Sequence, residues 1–272
     1  MGARLDGKVA IVTGGASGIG RATALLLAER GAAIAVADIN ADGARQVASE
    51  ARAKGARASH YVTDITFENQ IESMVAATVA DLGGLDILVN NAALCGPAAI
   101  APDAQISIDE MTVEIWDRTM DVNLRGTMLC SKHAIRHMLR QDGGAIVNIS
   151  SIASLQARAT LTAYGISKTA VNALTQHIAT AFGKRGIRCN AVAPGFTATE
   201  TGLTGLDDKE REMRLRHSLL DTVGRPEDIA NMVAFLASDD ARLVTGHVIP
   251  VDGGVTVHLP WFADQNDRSA IN

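Results

Sequence analysis

Short runs of apolar residues, rich in Val and Ile, alternate along this chain with longer stretches in which apolar positions recur every three or four residues. The short runs fall at 9–13, 33–38, 58–64, 85–92, 145–150, 187–194 and 247–252. Most are continuously apolar rather than alternating, the pattern of strands covered on both faces of a parallel sheet. Amphipathic stretches at 21–30, 42–54, 68–82, 114–140, 163–185 and 226–238 read as helices between them. Three of these run into a glycine (Gly31, Gly55, Gly186), as helix C-termini commonly do. Strand–helix alternation of this kind predicts right-handed crossovers and an α/β fold, a seven-stranded parallel sheet wound with helices on both faces.

Two stretches break the alternation. Residues 94–112 and 196–223 are irregular, and each follows the C-terminal end of a predicted strand. Ligands of open α/β sheets bind at that edge, so both are expected to shape a substrate site or its lid. In the second, Phe196, Leu203, Leu206, Met213 and Leu219 read equally as contacts of short helices or as an apolar pocket lining. Leu259-Pro260-Trp261-Phe262 makes the end of the sequence unusually apolar, which suggests docking on a second subunit or on the pocket rim.

Composition narrows the picture. With 272 residues, 47% of them hydrophobic, the chain can bury a full core, and residues 1–272 are expected to form one domain. A formal charge of −5 without a basic stripe argues against nucleic acid as partner. Cys95, Cys130 and Cys189 are too few and too scattered to staple a secreted fold. No secretory h-region opens the sequence, Asp6 stands where a myristoylation motif needs Ser or Thr, and no apolar run reaches membrane-spanning length. A cytoplasmic protein without membrane partners is the expectation.

Chemistry enters directly after the first strand, at Thr13-Gly14-Gly15-Ala16-Ser17-Gly18-Ile19-Gly20. Glycines at a strand-to-helix turn let the backbone approach a pyrophosphate and aim N–H groups and the helix dipole at it. Asp38 closes the second strand 18 positions beyond Gly20, near the ~20 expected of a carboxylate that accepts from a ribose hydroxyl. Such a carboxylate repels the 2′-phosphate of NADP, and Ala37, Ile39 and Ser17 supply no cation. NAD is therefore the expected cofactor, on a Rossmann-type sheet. Asp64, before Ile65, could accept from the adenine amino group or could simply cap its strand.

The spacing of Gly14, Gly18 and Gly20 resembles the short-chain dehydrogenase/reductase family. Further segments similar to that family follow in order: Asn90-Asn91-Ala92-Ala93, Asn123, Asn148-Ile149-Ser150-Ser151, Tyr164-Gly-Ile-Ser-Lys168, Pro194-Gly195 and Val251-Asp252-Gly253-Gly254. Together they cover roughly residues 6 to 254. Ala93 departs from the usual Gly, and Thr197 stands where Ile or Val is common. The resemblance implies cofactor contacts for Ile19, Ile65, Asn91, Pro194, Thr197 and Thr199, as well as for Tyr164 and Lys168. It also implies a homo-oligomer, a dimer or tetramer, in which the 114–140 helix builds an interface.

Tyr164 and Lys168 are four residues apart and share a helix face. A free tyrosine titrates near 10, but a neighbouring ammonium and a positive nicotinamide ring favour its phenolate. The resemblance assigns Tyr164 as acid/base, Lys168 as its tuner and a ribose ligand, and Ser151, not Ser150, as the partner of the substrate oxygen. Asn123 is implied to support a water in the proton relay. The reaction so implied moves a hydride between a secondary alcohol or ketone and NAD.

Other readings are weaker. Cys130, His133 and His137 share a helical stripe, but no intervening Glu makes a His-Glu-x-x-His pattern and no further ligand is near, so no metal is expected. A non-catalytic NAD-binding sensor of the same fold is the main alternative, disfavoured by the presence of Ser151, Tyr164 and Lys168. A serine hydrolase lacks its Gly-x-Ser-x-Gly elbow.

Overall fold

A computed structural model describes residues 4–95, 103–141, 143–199 and 207–269. Seven strands, β1 (Val9–Thr13), β2 (Ala33–Asp38), β3 (Ala58–Val62), β4 (Ile87–Asn90), β5 (Gly144–Ile149), β6 (Ile187–Pro194) and β7 (Val248–Val251), form one parallel sheet in the order β3-β2-β1-β4-β5-β6-β7. The reversal of strand order between β1 and β4 opens a crevice at their C-terminal ends, where doubly wound sheets bind ligands. Several strands are shorter than the apolar pattern predicted. β3 stops at Val62 and β4 spans only Ile87–Asn90, because residues beyond these ends turn to make caps and loop contacts.

The inner strands feed two cores. Ala10 and Val12 of β1 pack beneath α1 (Gly18–Glu29) and α2 (Ala41–Ala53), whereas Val9 and Ile11 face α3 (Glu68–Leu82) on the opposite side. That two-faced burial accounts for the continuous apolar runs. Gly31, Gly55 and Gly186 have φ of 102°, 90° and 82°, as helix-terminating glycines do.

The stretch 114–140 is not one regular helix. It is built as α4 (Val113–Met120), a π-helical turn (Asp121–Gly126) and α5 (Thr127–Met138). Ile65 sits so close to Gly126 that a Cβ there would meet its Cδ1 at 2.6 Å. The wider turn places Asn123 inward, and π-bulges of this kind recur at functional sites. α6 (Thr162–Phe182) follows on the same side. α7 (Asp208–Arg216), α8 (Pro226–Ala237) and α9 (Phe262–Ser269) complete the described chain, α8 covering the face that holds α1. No helix among the described residues is long and apolar enough to cross a membrane.

Candidate active site

The β1–α1 turn is shaped by what its glycines exclude. A Cβ on Gly20 would lie 2.0 Å from the Gly14 carbonyl oxygen, and one on Gly14, whose φ is 62°, would lie 2.8 Å from Ala92 Cα. Asn91 pins the turn by donating from Nδ2 to the carbonyls of Thr13 (3.1 Å) and Gly14 (2.9 Å). Ser17 opens α1 without a side-chain cap, and the first turn contains no acidic residue. The helix N-terminus thus keeps its N–H groups for an anion. A phosphate cradle fits these residues.

Asp38 ends β2 with its carboxylate accepting from the backbone N–H groups of Ala16 (3.0 Å) and Asn40 (2.9 Å). This fixes one carboxylate beside the glycine turn while leaving it lone pairs for a hydroxyl donor. Asp64 accepts from the Thr66 N–H (2.9 Å) and hydroxyl (2.7 Å) through one oxygen, so the strand-cap reading describes that oxygen well.

Ser151, Tyr164 and Lys168 line one cavity of about 510 Å³ together with Ile19, Asn91, Pro194, Thr197 and Thr199. The two adjacent serines diverge. Ser150 is 2% exposed, donates to Asn172 Oδ1 (2.6 Å) and contacts the Lys168 carbonyl, so its hydroxyl belongs to the core. Ser151 opens a short 3₁₀ turn (Ile152–Ser154), accepts from the Ala153 N–H (3.1 Å) and hydrogen-bonds the Tyr164 side chain.

Burial dominates the electrostatics of Tyr164 and Lys168. Burial pushes the Tyr164 phenol up, Cys95 and Asp103 add to the rise, and the Ser151 hydrogen bond only partly opposes it. Burial likewise pulls the Lys168 ammonium down to about 8. Lys168, 3% exposed, donates to the Ile149 carbonyl (2.8 Å), and its Nζ lies 5.7 Å from the Tyr164 ring centroid. At that distance its attraction for a phenolate does not outweigh the desolvation of both groups.

Asn123 is fully buried, but it does not line the cavity. Its Oδ1 accepts from the Leu94 N–H (2.7 Å) and its Nδ2 donates to Ser167 Oγ (3.1 Å), whose own hydroxyl donates to the Tyr164 carbonyl (2.7 Å). The side chain therefore ties the start of the 94–112 stretch to α6.

Asp103 was not visible in the sequence as a site residue. It is 1% exposed, its Oδ2 accepts from the Tyr164 N–H (2.9 Å), and its carbonyl accepts from the Leu161 N–H (3.0 Å). Leu161, at φ 62°, leaves the N-terminus of α6 without a cap from its own side chain. An anion on the helix N-terminus is favourable, and this one arrives from a distant stretch of chain. Only an Asx-type signal sixty-one residues from its partner marks it, which no local pattern detects.

After β6, Thr197 bridges to Gly224, and Ala198 donates to the Gly224 carbonyl (2.7 Å). Asp252 accepts from Gly254 and from the Thr256 N–H and hydroxyl, while the Gly253 carbonyl accepts from Leu219 and Leu220. The Val251-Asp252-Gly253-Gly254 segment is thus the anchor of the second irregular stretch. His258 bonds the His217 carbonyl (2.8 Å), and Arg216 pairs with Asp264 (3.1 Å), so the C-terminal segment folds back on α7 of its own chain. Leu203 and Leu206 lie outside the described residues; Met213 lines the cavity and Leu219 packs on Gly254.

The histidine stripe of α5 is otherwise engaged. His133 meets Glu68 Oε1 (3.0 Å), which also pairs with Lys132, and His137 meets Gln141 Oε1 (3.0 Å). Cys130 is a buried thiol in the core beneath them.

A family model described as enoyl-(acyl carrier protein) reductase matches residues 14–256. The chain is 42% identical to cis-4-hydroxycyclohexanecarboxylate dehydrogenase of Sinomonas cyclohexanicum, over 94% of this chain and 99% of that protein. It is 37% identical to 7α-hydroxysteroid dehydrogenase of Bacteroides fragilis, over 94% and 97%. Among solved structures, a 7α-hydroxysteroid dehydrogenase complexed with NADH and 7-oxo glycochenodeoxycholic acid superposes with a TM-score of 0.86 at 33% identity, covering 92% of this chain and 95% of that one. With its sheet order, glycine turn and Tyr-x-x-x-Lys cavity, the chain belongs to the short-chain dehydrogenase/reductase family.

Proposed function

We propose that this oxidoreductase of CH–OH donors transfers a hydride between a secondary alcohol or ketone and NAD, with Tyr164 as the acid/base. The observation that carries the reading is the convergence of Ser151, Tyr164 and Lys168 on one cavity with the residues that flank the glycine turn. A non-catalytic dinucleotide sensor has no use for that convergence.

Gly14, Ser17, Gly18, Ile19 and Gly20 would hold the pyrophosphate of the dinucleotide, and Asp38 would accept from its adenosine ribose. Asp64 and Ile65 would contact the adenine, and Asn91, Pro194, Thr197 and Thr199 the nicotinamide half. When bound, the nicotinamide would supply the hydride chemistry and, oxidised, a positive charge that favours the phenolate. Ser151 donates to the substrate oxygen and fixes the reacting carbon. Tyr164 takes the hydroxyl proton during oxidation, or gives it during reduction, at its Oη. Lys168 keeps a cation on the Tyr164 face, and Asn123 positions that face through Ser167 and Leu94 rather than by touching the reacting atoms. Burial favours the protonated phenol, so the rate of alcohol oxidation is expected to rise with pH.

Relatives that act on a ring-borne hydroxyl support a cyclic alcohol as substrate class. The deciding experiment is a panel of secondary alcohols and ketones, among them 4-hydroxycyclohexanecarboxylate and a 7α-hydroxysteroid, assayed with NAD and NADP by nicotinamide absorbance. Turnover of none of them defeats the reading, and preference for NADP defeats the role of Asp38. We also propose a cytoplasmic homo-oligomer organised as a single domain, supported by free Cys95, Cys130 and Cys189 and by exposed Val113 and Met128 on α4 and α5. Light scattering at one subunit mass removes the oligomer.

A further inference from the structure

The chain is acidic overall, yet the described lining of the cavity contains no Asp or Glu. It does contain Arg158, Lys168, Arg214 and His217 among mostly apolar neighbours. These basic groups are not equivalent. Lys168 is buried and spends its ammonium on the Ile149 carbonyl. Arg214 is paired with Glu210, and its guanidinium stacks over the Phe196 ring at 4.3 Å. The bond of His217 to the C-terminal segment is made by its backbone carbonyl, and its ring is a neutral imidazole or a single-point cation rather than a bidentate fork. Arg158 is exposed and makes no ion pair or hydrogen bond among the described residues.

An unpaired guanidinium facing a largely apolar cavity is a ready bidentate site for a carboxylate, whose planar geometry it matches. Its place in the chain adds to the argument. Arg158 sits on the connection between β5 and α6, the same segment that presents Ser151 at one end and Tyr164 at the other. One short stretch of backbone therefore presents both the group that would read the reacting oxygen and a cation further along the same wall.

We propose that Arg158 is a specificity-determining residue and that the substrate is an anionic secondary alcohol or ketone, with a carboxylate set apart from the reacting carbon by an apolar body. The proposal rests on the catalytic reading above and names the substrate class of that same site. Arg158 recognises the carboxylate, and the apolar walls between Ile152 and Val255 cover the body. Arg214, paired with Glu210 through one nitrogen and held on Phe196, forms part of that covering, its buried Nε having no hydrogen-bond partner among the described residues.

The test uses two ligands that cannot react, cyclohexanecarboxylate and cyclohexanecarboxamide, titrated calorimetrically into the NADH-loaded enzyme. The carboxylate is expected to bind about tenfold or more tightly than the amide, the scale of a hydrogen bond to a charged partner. Arg158→Leu is expected to remove that preference and Arg158→Lys to keep part of it, because an ammonium retains the charge but loses the fork. Equal affinity for the two ligands in the natural protein, a preference that survives in Arg158→Leu, or no binding of either ligand overturns the proposal. Failure here separates from failure of the catalytic reading. An enzyme that oxidises neutral alcohols without preferring acids breaks only the present inference. One that binds carboxylates through Arg158 but turns over no alcohol breaks the other.

Discussion

The two walls of the cavity are built by different means. On the dinucleotide side, position is enforced by backbone and by missing side chains: the Gly20 and Gly14 contacts leave no room for a methyl group, and strand register fixes Asp38 beside Ala16. On the substrate side, irregular chain is held by single side-chain clasps, Asp103 on Tyr164, Asn123 on Leu94, Arg214 on Phe196 and Asp252 on Thr256. The contrast teaches which wall tolerates change. A backbone cradle admits almost no substitution, whereas a clasp can be replaced by another clasp and so lets one fold accept different substrates.

Substitutions can break that contrast. The largest expected effect belongs to neither wall but to the group between them: Tyr164→Phe lowers turnover by about 10²–10⁴-fold, the usual worth of general acid–base help, while dinucleotide affinity is kept. Steady-state rates beside an NADH fluorescence titration check it, and full turnover would remove Tyr164 from the chemistry.

Gly20→Ala comes next. Its methyl group would meet the Gly14 carbonyl oxygen at 2.0 Å and Asn91 Nδ2 at 2.5 Å, so the turn must open. The expected result is lost dinucleotide affinity and a lower melting temperature, at an overpacking cost of about 1–3 kcal/mol. Unaltered NADH binding in this variant would show that the cradle is less rigid than its geometry.

Asp38→Ala is expected to shift the kcat/KM ratio of NAD to NADP by roughly tenfold toward NADP, the scale of one partly screened charge pair. No shift would mean that another group selects the cofactor.

The smallest effect probes a clasp. Asp103→Asn can still accept from the Tyr164 N–H but removes a negative charge that raises the phenol. With that charge gone the phenolate becomes cheaper, so the acid limb of the pH profile for alcohol oxidation moves to lower pH. Turnover at the optimum changes by about two- to fivefold, in keeping with a helix-terminal charge. A variant that instead lost dinucleotide binding, as Gly20→Ala should, would show that the two walls are not separable.

The first wall was the more legible from sequence. Glycine spacing and the acid closing β2, like the Tyr-x-x-x-Lys pair between the walls, are local signals, since each depends on residues a few positions apart or on one strand. The long-range clasps left no such trace. Asp103 acts on a residue 61 positions away, and the π-helical turn that carries Asn123 reads as plain helix because one additional residue per turn barely disturbs an amphipathic pattern.

By itself, then, the sequence determined the sheet, its two buried faces, the glycine cradle and the identity of the groups at its edge, because periodicity and short spacing encode them directly. Tertiary structure decided how those groups behave. It separated Ser150 from Ser151 by burial and set the phenol of Tyr164 above its ordinary range by desolvation. It also brought Asp103 to the N-terminus of α6 and Arg158 to the cavity by way of loops whose paths depend on packing against distant elements rather than on any local preference.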